Sequence, residues 1–75
     1  MTIAEAAQSA LRTLARPATT RQIYDEIVKQ DLFRFGAKDP VAVLGSAIRR
    51  RTEGSKSLRG EVLFLSDERG LIRER

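Results

Sequence analysis

The sequence RFGAKDP, at positions 34–40 of this 75-residue chain, carries the clearest helix boundary. It separates two segments of helical periodicity, and its last two residues mark the start of the second one. The carboxylate of Asp39 can accept a hydrogen bond from a free backbone amide, and Pro40 suits the first helical position because it has no amide that needs a partner. This boundary signal, the strongest in the sequence, predicts a turn followed by a helix.

The helix that starts at Asp39 is predicted to run to about residue 53, where Gly54 can end it in the left-handed conformation. Its apolar residues recur at three- and four-residue spacing, so they share one side. They are Val41, Leu44, Ala47, Ile48 and the aliphatic part of Arg51. This side is expected to pack on the core, while the opposite side faces outward.

An earlier helix is predicted near the start of the chain. Thr2 and Glu5 have the spacing of a capping box, in which each side chain accepts a hydrogen bond from the other residue's backbone amide. An apolar stripe rich in alanine and leucine follows. Because Pro17 forces the residue before it out of the helical region, we expect this helix to end near Ala15.

Another helix is predicted between these two. Residues 17–19 form a short extended connector, and Thr19 with Gln22 has the spacing of a second capping box. The apolar face that follows is centred on isoleucines at positions 23 and 27, and the helix is expected to fray around residue 30 or 31. It is therefore the second of three helices.

Beyond Gly54 the pattern changes from helical to extended. VLFL at residues 62–65 is typical of a strand, SDERG at 66–70 of a turn, and LIR at 71–73 of a short returning strand. Three helices followed by a hairpin are the order of elements in a winged helix-turn-helix. The predicted fold is mostly α with a small β-hairpin, formed by one domain over residues 1–75 that is the N-terminal module of a longer protein.

The composition excludes several kinds of function. The chain has no cysteine and no histidine, which removes disulfides, thiolate chemistry and the usual zinc ligands. Neither pair of adjacent carboxylates, at 25–26 or at 67–68, forms a constellation with a base, a nucleophile partner or a phosphate-cradling glycine loop. No apolar run reaches the roughly 18 residues of a membrane span. We expect no enzymatic activity, no cofactor and no metal. The protein is expected to be a monomer, located in the cytoplasm at the nucleoid of a bacterium or in the nucleus of a eukaryote.

The positive charge is concentrated between Gly45 and Gly60. The formal net charge is +4, but the first 33 residues carry equal numbers of acidic and basic side chains. The span from Gly45 to Gly60 has three consecutive arginines, a lysine and a further arginine against Glu53 alone. Such an asymmetry favours a polyanionic partner, either nucleic acid or an acidic protein.

The candidate DNA contacts lie on the outward side of the third helix, before it and in the wing. Small side chains allow a helix to approach the floor of the major groove, and arginines at its end can reach phosphates or a guanine edge. The candidates are Lys38, Ala42, Gly45, Ser46, Arg49 and Arg50, with Lys56, Arg59 and Arg69 assigned to the wing.

Structural roles compete with these assignments at some positions. Close helix packing accounts for Gly45 as well as DNA contact does. Arginines in the last turn of a helix are favoured by the helix dipole in any protein, and the stem of Arg51 is interpreted as covering the core edge. The aromatic residues are scattered along the sequence and do not form a platform for single strands. They are interpreted as core residues, apart from Phe35, which anchors its turn.

Several segments resemble the HARE-type helix-turn-helix domain. They are AEAA at 4–7, RPAT at 16–19 leading to Ile23 and Ile27, FGAKDP at 35–40, and the spacing from Phe64 to Gly70. The resemblance implies a DNA-binding winged helix found in bacterial restriction enzymes, in the delta subunit of bacterial RNA polymerase and in eukaryotic chromatin proteins. It also implies a role in sensing modified cytosine. The chain departs from the family at Asp31, Ser66 and Ile72, two of which belong to the wing region.

The sequence thus predicts binding of double-stranded DNA, with the third helix in the major groove and the wing along the backbone or minor groove. Two alternatives stay open. The same fold and charge suit a protein-interaction module with an acidic partner. The chain is also compatible with the recognition module of a nuclease, whose catalytic residues would lie in another domain of the same polypeptide.

Overall fold

Three helices and a two-stranded antiparallel hairpin make up the computed structural model, which describes residues 1–75. In chain order the elements are α1 (Ile3–Leu14), α2 (Thr20–Lys29), α3 (Pro40–Arg49), β1 (Phe64–Ser66) and β2 (Ile72–Glu74). Helices α2 and α3 are the helix-turn-helix pair, and the β1–β2 hairpin is the wing. The predicted winged helix-turn-helix fold is confirmed. None of the three helices is both long and apolar enough to cross a membrane.

Both predicted capping boxes are present. At the start of α1 the hydroxyl of Thr2 accepts from the Glu5 amide at 3.1 Å, and the Glu5 carboxylate accepts from the Thr2 amide at 2.8 Å. Hydrogen bonds from the Thr2 backbone, and then from its side chain, hold the pKa of Glu5 below its usual value. Thr19 and Gln22 make the same reciprocal pair at the start of α2. Local sequence therefore fixes where these two helices begin.

Helix α3 begins as predicted, with the Asp39 carboxylate accepting from the Ala42 amide at 3.2 Å, but it ends at Arg49. The prediction that it reaches residue 53 is wrong. The hydroxyl of Thr52 donates to the Ile48 carbonyl at 2.6 Å, and the Glu53 amide donates to the Phe64 carbonyl at 3.1 Å. Residues 50–53 are thus drawn out of the helix by pairing with the chain around β1. Gly54 has the expected left-handed φ of 79°, but it closes this turn and not the helix.

The core lies where the three helices meet the inner side of the hairpin. Small alanines on α1 allow the other helices to approach closely, and Phe64 from β1 fills the centre with 0% exposure. The buried apolar residues are Ala6, Ala7, Ala10, Leu11, Ala18, Ile23, Ile27, Leu44, Ile48, Phe64 and Ile72. Of the predicted apolar side of α3, Val41 and Ala47 are only half-buried.

The hairpin starts one to two residues later than predicted, with Phe64 opposite Glu74 and Ser66 opposite Ile72. The connector between α1 and α2 joins its edge. Ala18 and Ile72 exchange backbone hydrogen bonds of 2.9 and 2.7 Å, so the extended segment after Pro17 acts as a third strand one residue long. An ion pair of 2.6 Å between Arg12 and Glu74 also links α1 to β2. These contacts fix the wing relative to the helices.

Candidate nucleic-acid interface

The outward side of α3 combines small residues with arginines. At 100° per residue, Ala42, Ser46 and Arg49 follow one another along this side, and Val43 and Arg50 lie next to them. All are exposed except Ser46, which is half-buried. Val43 was not among the predicted contacts, although the helical spacing that selects Arg50 places Val43 beside it. An exposed valine on this side is suited to contact a thymine methyl group.

Gly45 does not belong to the outward side, so its assignment as a DNA contact is corrected. It is buried where α3 approaches the start of α2. A methyl group added there would lie 3.2 Å from Nη1 of Arg49 and 3.7 Å from Cγ2 of Thr20. The missing side chain thus makes room for the Arg49 guanidinium and for α2. The close-packing alternative explains this glycine.

Arg49 is held in place by its own helix. Its Nη2 donates to the hydroxyl of Ser46 at 3.3 Å, and its guanidinium folds back over Gly45 toward Thr20. It borders a cleft of about 400 Å³ that lies between the start of α2, the end of α3 and the hairpin, with Ser66 and Gly70 on the hairpin side. Arg49 therefore presents its charge on the α2 side of α3.

Arg50 lies on the opposite flank of α3, together with cations from the following loop. An open pocket of about 500 Å³ is lined by Arg50, Lys56, Ser57 and Arg59. The Arg59 amide donates to the Arg50 carbonyl at 2.7 Å, which holds the loop against the end of the helix. We name these three basic residues the loop cluster. The assignment of Lys56 and Arg59 to the wing is wrong, because the hairpin begins only at Phe64.

Lys38 and Arg69 are exposed but do not join either group. Lys38 lies in the turn before α3. Arg69 is at the tip of the hairpin, where one oxygen of Asp67 accepts from the backbone amides of Arg69 and Leu71, both at 2.9 Å. A shallow cavity there brings Arg69 together with Asp67 and Glu68. The wing tip is thus weakly acidic, unlike the flanks of α3.

None of the candidate cations has an acidic partner. The three ion pairs in the structure are Arg12–Glu74, Arg21–Asp25 and Arg34–Asp31, and all lie outside the candidate site. Arg51, by contrast, has a structural role, as predicted. It is half-buried, its carbonyl accepts from the amides of residues 63 and 64, and its guanidinium lies against the backbone of Gly60. The charges at Arg49 and in the loop cluster are therefore available to an anion.

The aromatic residues are less scattered in space than in the sequence. The ring centre of Phe35 lies 5.5 Å from that of Tyr24 and 5.1 Å from that of Phe33, and the ring planes are tilted. Phe35 thus anchors its turn on α2, as predicted, while Phe64 alone occupies the centre of the core. Rings packed on one another at these angles do not form a row on which successive bases could stack.

Fold and surface together define a winged helix whose third helix has unpaired cations on both flanks. No family model matches the chain, and comparisons with curated proteins and with solved structures give no match. The resemblance to the HARE-type helix-turn-helix domain therefore remains a prediction. No cluster of three or more histidine, cysteine or acidic side chains able to hold a metal ion is present.

Replacing Gly45 by alanine is expected to raise the stability of the fold and, at the same time, to displace the guanidinium of Arg49. Alanine is favoured over glycine inside a helix by up to about 1 kcal/mol, and the added methyl meets mainly the flexible end of Arg49. Urea unfolding should show a gain in stability, while the guanidinium moves and any contact it makes with a ligand weakens. Gly36→Ala, at an exposed turn where nothing lies within 4 Å, is the matched control. A clear loss of stability in Gly45→Ala alone would mean that α2 and α3 cannot move apart.

Proposed function

We propose that this protein binds double-stranded DNA, with α3 in the major groove. The observation that supports the proposal is the distribution of unpaired cations, with Arg49 on one flank of α3 and the loop cluster on the other. The major groove is about 12 Å wide and is bordered by a phosphate backbone on each side. Cations on both flanks of an inserted helix can each contact one of these backbones, and α3 has cations on both flanks.

The centre of the outward side suits close approach to the bases. Ala42 and Ser46 are small, so the backbone of α3 can come near the groove floor, where Val43 can contact a thymine methyl group. Direct base contacts from such side chains are few, and phosphate contacts outnumber them. Most of the affinity should therefore be electrostatic, with low selectivity for sequence.

The wing contributes less in this proposal than the helix does. Asp67 and Glu68 flank Arg69 at the tip and repel phosphates, so only Arg69 approaches the backbone there. The resemblance to the HARE-type domain adds a preference for modified cytosine, which duplexes of one sequence in unmodified, methylated and hydroxymethylated form would measure. A protein with this function acts at the nucleoid of a bacterium or in the nucleus of a eukaryote, and any catalysis belongs to another domain of the polypeptide.

The experiment that tests the proposal is a titration of the protein with a duplex, the corresponding single strand and an RNA of the same sequence at several salt concentrations. We expect the duplex to bind most tightly and its affinity to fall steeply with salt. Replacing Arg49, Arg50 or Arg59 singly by glutamine should flatten the salt slope by about one unit each if each touches a phosphate. Absence of duplex binding at low ionic strength would refute the proposal.

An acidic partner protein would meet the same cations, and the titration also addresses this alternative. Amide shifts confined to residues 38–60 on addition of the duplex support DNA binding. Cations on both flanks of α3 favour DNA, because a groove is bordered by phosphates on both sides. An acidic protein surface could bind the cations of one flank alone. The same distribution is compatible with a recognition module of a nuclease, which would bind the duplex in the same manner.

A further inference from the structure

The members of the loop cluster face one space, and two of them, Arg50 and Arg59, also border a neighbouring cavity together with Arg51. Arg50 comes from the end of α3, and Lys56 and Arg59 come from the loop that follows; together with Ser57 they line the pocket of about 500 Å³. No acidic side chain lines it, and none of the three cations takes part in an ion pair. Like charges brought together without an acid repel one another, and an anion between them removes that repulsion.

The backbone of the loop keeps these cations together without help from a ligand. The Arg59 amide donates to the Arg50 carbonyl at 2.7 Å, and the Leu58 amide donates to the Ser55 carbonyl at 3.2 Å. The hydroxyl of Ser55 also accepts from the Ser57 amide at 3.1 Å. The loop is therefore folded before an anion arrives, so less conformational entropy is lost when the anion binds.

We propose that the loop cluster is a single phosphate site, in which Arg50, Lys56 and Arg59 converge on one phosphate group. The two non-bridging oxygens of a backbone phosphate have several lone pairs between them, so they can accept from all three cations, and the Ser57 hydroxyl adds a further donor. The inference rests on the proposed function, because the phosphate is then part of the DNA backbone. This phosphate lies on the border of the groove opposite to the border that Arg49 contacts. It goes further in assigning three residues to the same phosphate instead of to three separate ones.

The test uses Arg50→Gln, Lys56→Gln, Arg59→Gln and the triple variant in duplex titrations at several salt concentrations. One shared phosphate predicts that the triple variant flattens the salt slope by about one unit, whereas three separate phosphates would give about three. Each single variant should already lose most of the affinity that the triple variant loses, about tenfold at moderate salt. Replacing Arg16, Lys29 and Arg73 together by glutamine is the control, because these exposed cations line none of the cavities.

Inorganic phosphate supplies an independent readout, because its binding does not require DNA. In the wild-type protein it should shift the amide signals of residue 50 and residues 56–60, and the triple variant should lose these shifts while keeping its thermal midpoint. Phosphate shifts without any duplex binding would support the site and refute the proposed function. Duplex binding with a slope unchanged in the triple variant, or lowered by about three units, would overturn the single site and leave the proposed function intact.

Discussion

Phe64→Ala is expected to lower the free energy of unfolding by about 3–5 kcal/mol, because truncating a buried phenylalanine removes apolar contacts and leaves a cavity. Its side chain is 0% exposed and is the largest in the core. A domain of this length has a total stability of roughly 4–11 kcal/mol at 0.05–0.15 kcal/mol per residue. The variant should therefore be largely unfolded at a urea concentration that leaves the wild type folded.

Urea unfolding followed by circular dichroism measures this loss, and the neighbouring residue of β1 supplies the control. Leu65→Ala truncates a half-exposed side chain on the same strand, so it should cost much less than Phe64→Ala. Equal losses in the two variants would mean that the strand, and not the filled core site, determines the stability. A loss below about 1 kcal/mol for Phe64→Ala would contradict the packing described above.

The sequence predicts best those features that depend on neighbouring residues. A capping box involves residues three apart, so Thr2 with Glu5 and Thr19 with Gln22 could be identified directly, and both pairs form. Asp39 followed by Pro40 likewise predicts the start of α3. These local signals fix three helix starts, and the order of elements then defines the winged helix.

Features that depend on distant residues could not be predicted in the same way. The end of α3 is set by the Glu53 amide, which pairs with the Phe64 carbonyl eleven residues further on. Gly45 packs against Thr20 of another helix, which no pattern within α3 reveals. Propensity alone would continue the helix to Gly54, because no residue between 50 and 53 is a helix breaker.

The candidate site shows the same division. The sequence shows that positive charge is concentrated after Gly45. How these charges are divided between the two flanks of α3 depends on tertiary structure. Arg49 and Arg50 are neighbours in the chain, yet a rotation of about 100° directs one toward α2 and the other toward the loop cluster. Lys56 and Arg59 lie beside α3 because the loop that carries them is held there by the hydrogen bond from the Arg59 amide to the Arg50 carbonyl.

The division into two flanks is what makes a paired charge reversal informative. Arg49→Glu with Arg50→Glu should reduce duplex affinity by about 100-fold or more, because each change removes a phosphate contact of at least about 1 kcal/mol and places a carboxylate beside a phosphate. The loss is measured by fluorescence anisotropy at fixed salt. The fold should survive, since both side chains are exposed and reversal near a helix end costs roughly 0.3–1 kcal/mol each.

The control for this reversal is Arg16→Glu with Lys29→Glu. Each reversal removes one positive and adds one negative charge, so both double variants change the formal net charge from +4 to 0. Lys29 also lies in the last turn of a helix, so the control includes one helix-end reversal of its own. If net charge alone governs binding, the two variants lose the same affinity and the interface on α3 is refuted. Because phosphate contacts act within about a Debye length of 10 Å at 0.1 M salt, we expect the control to retain most of its affinity.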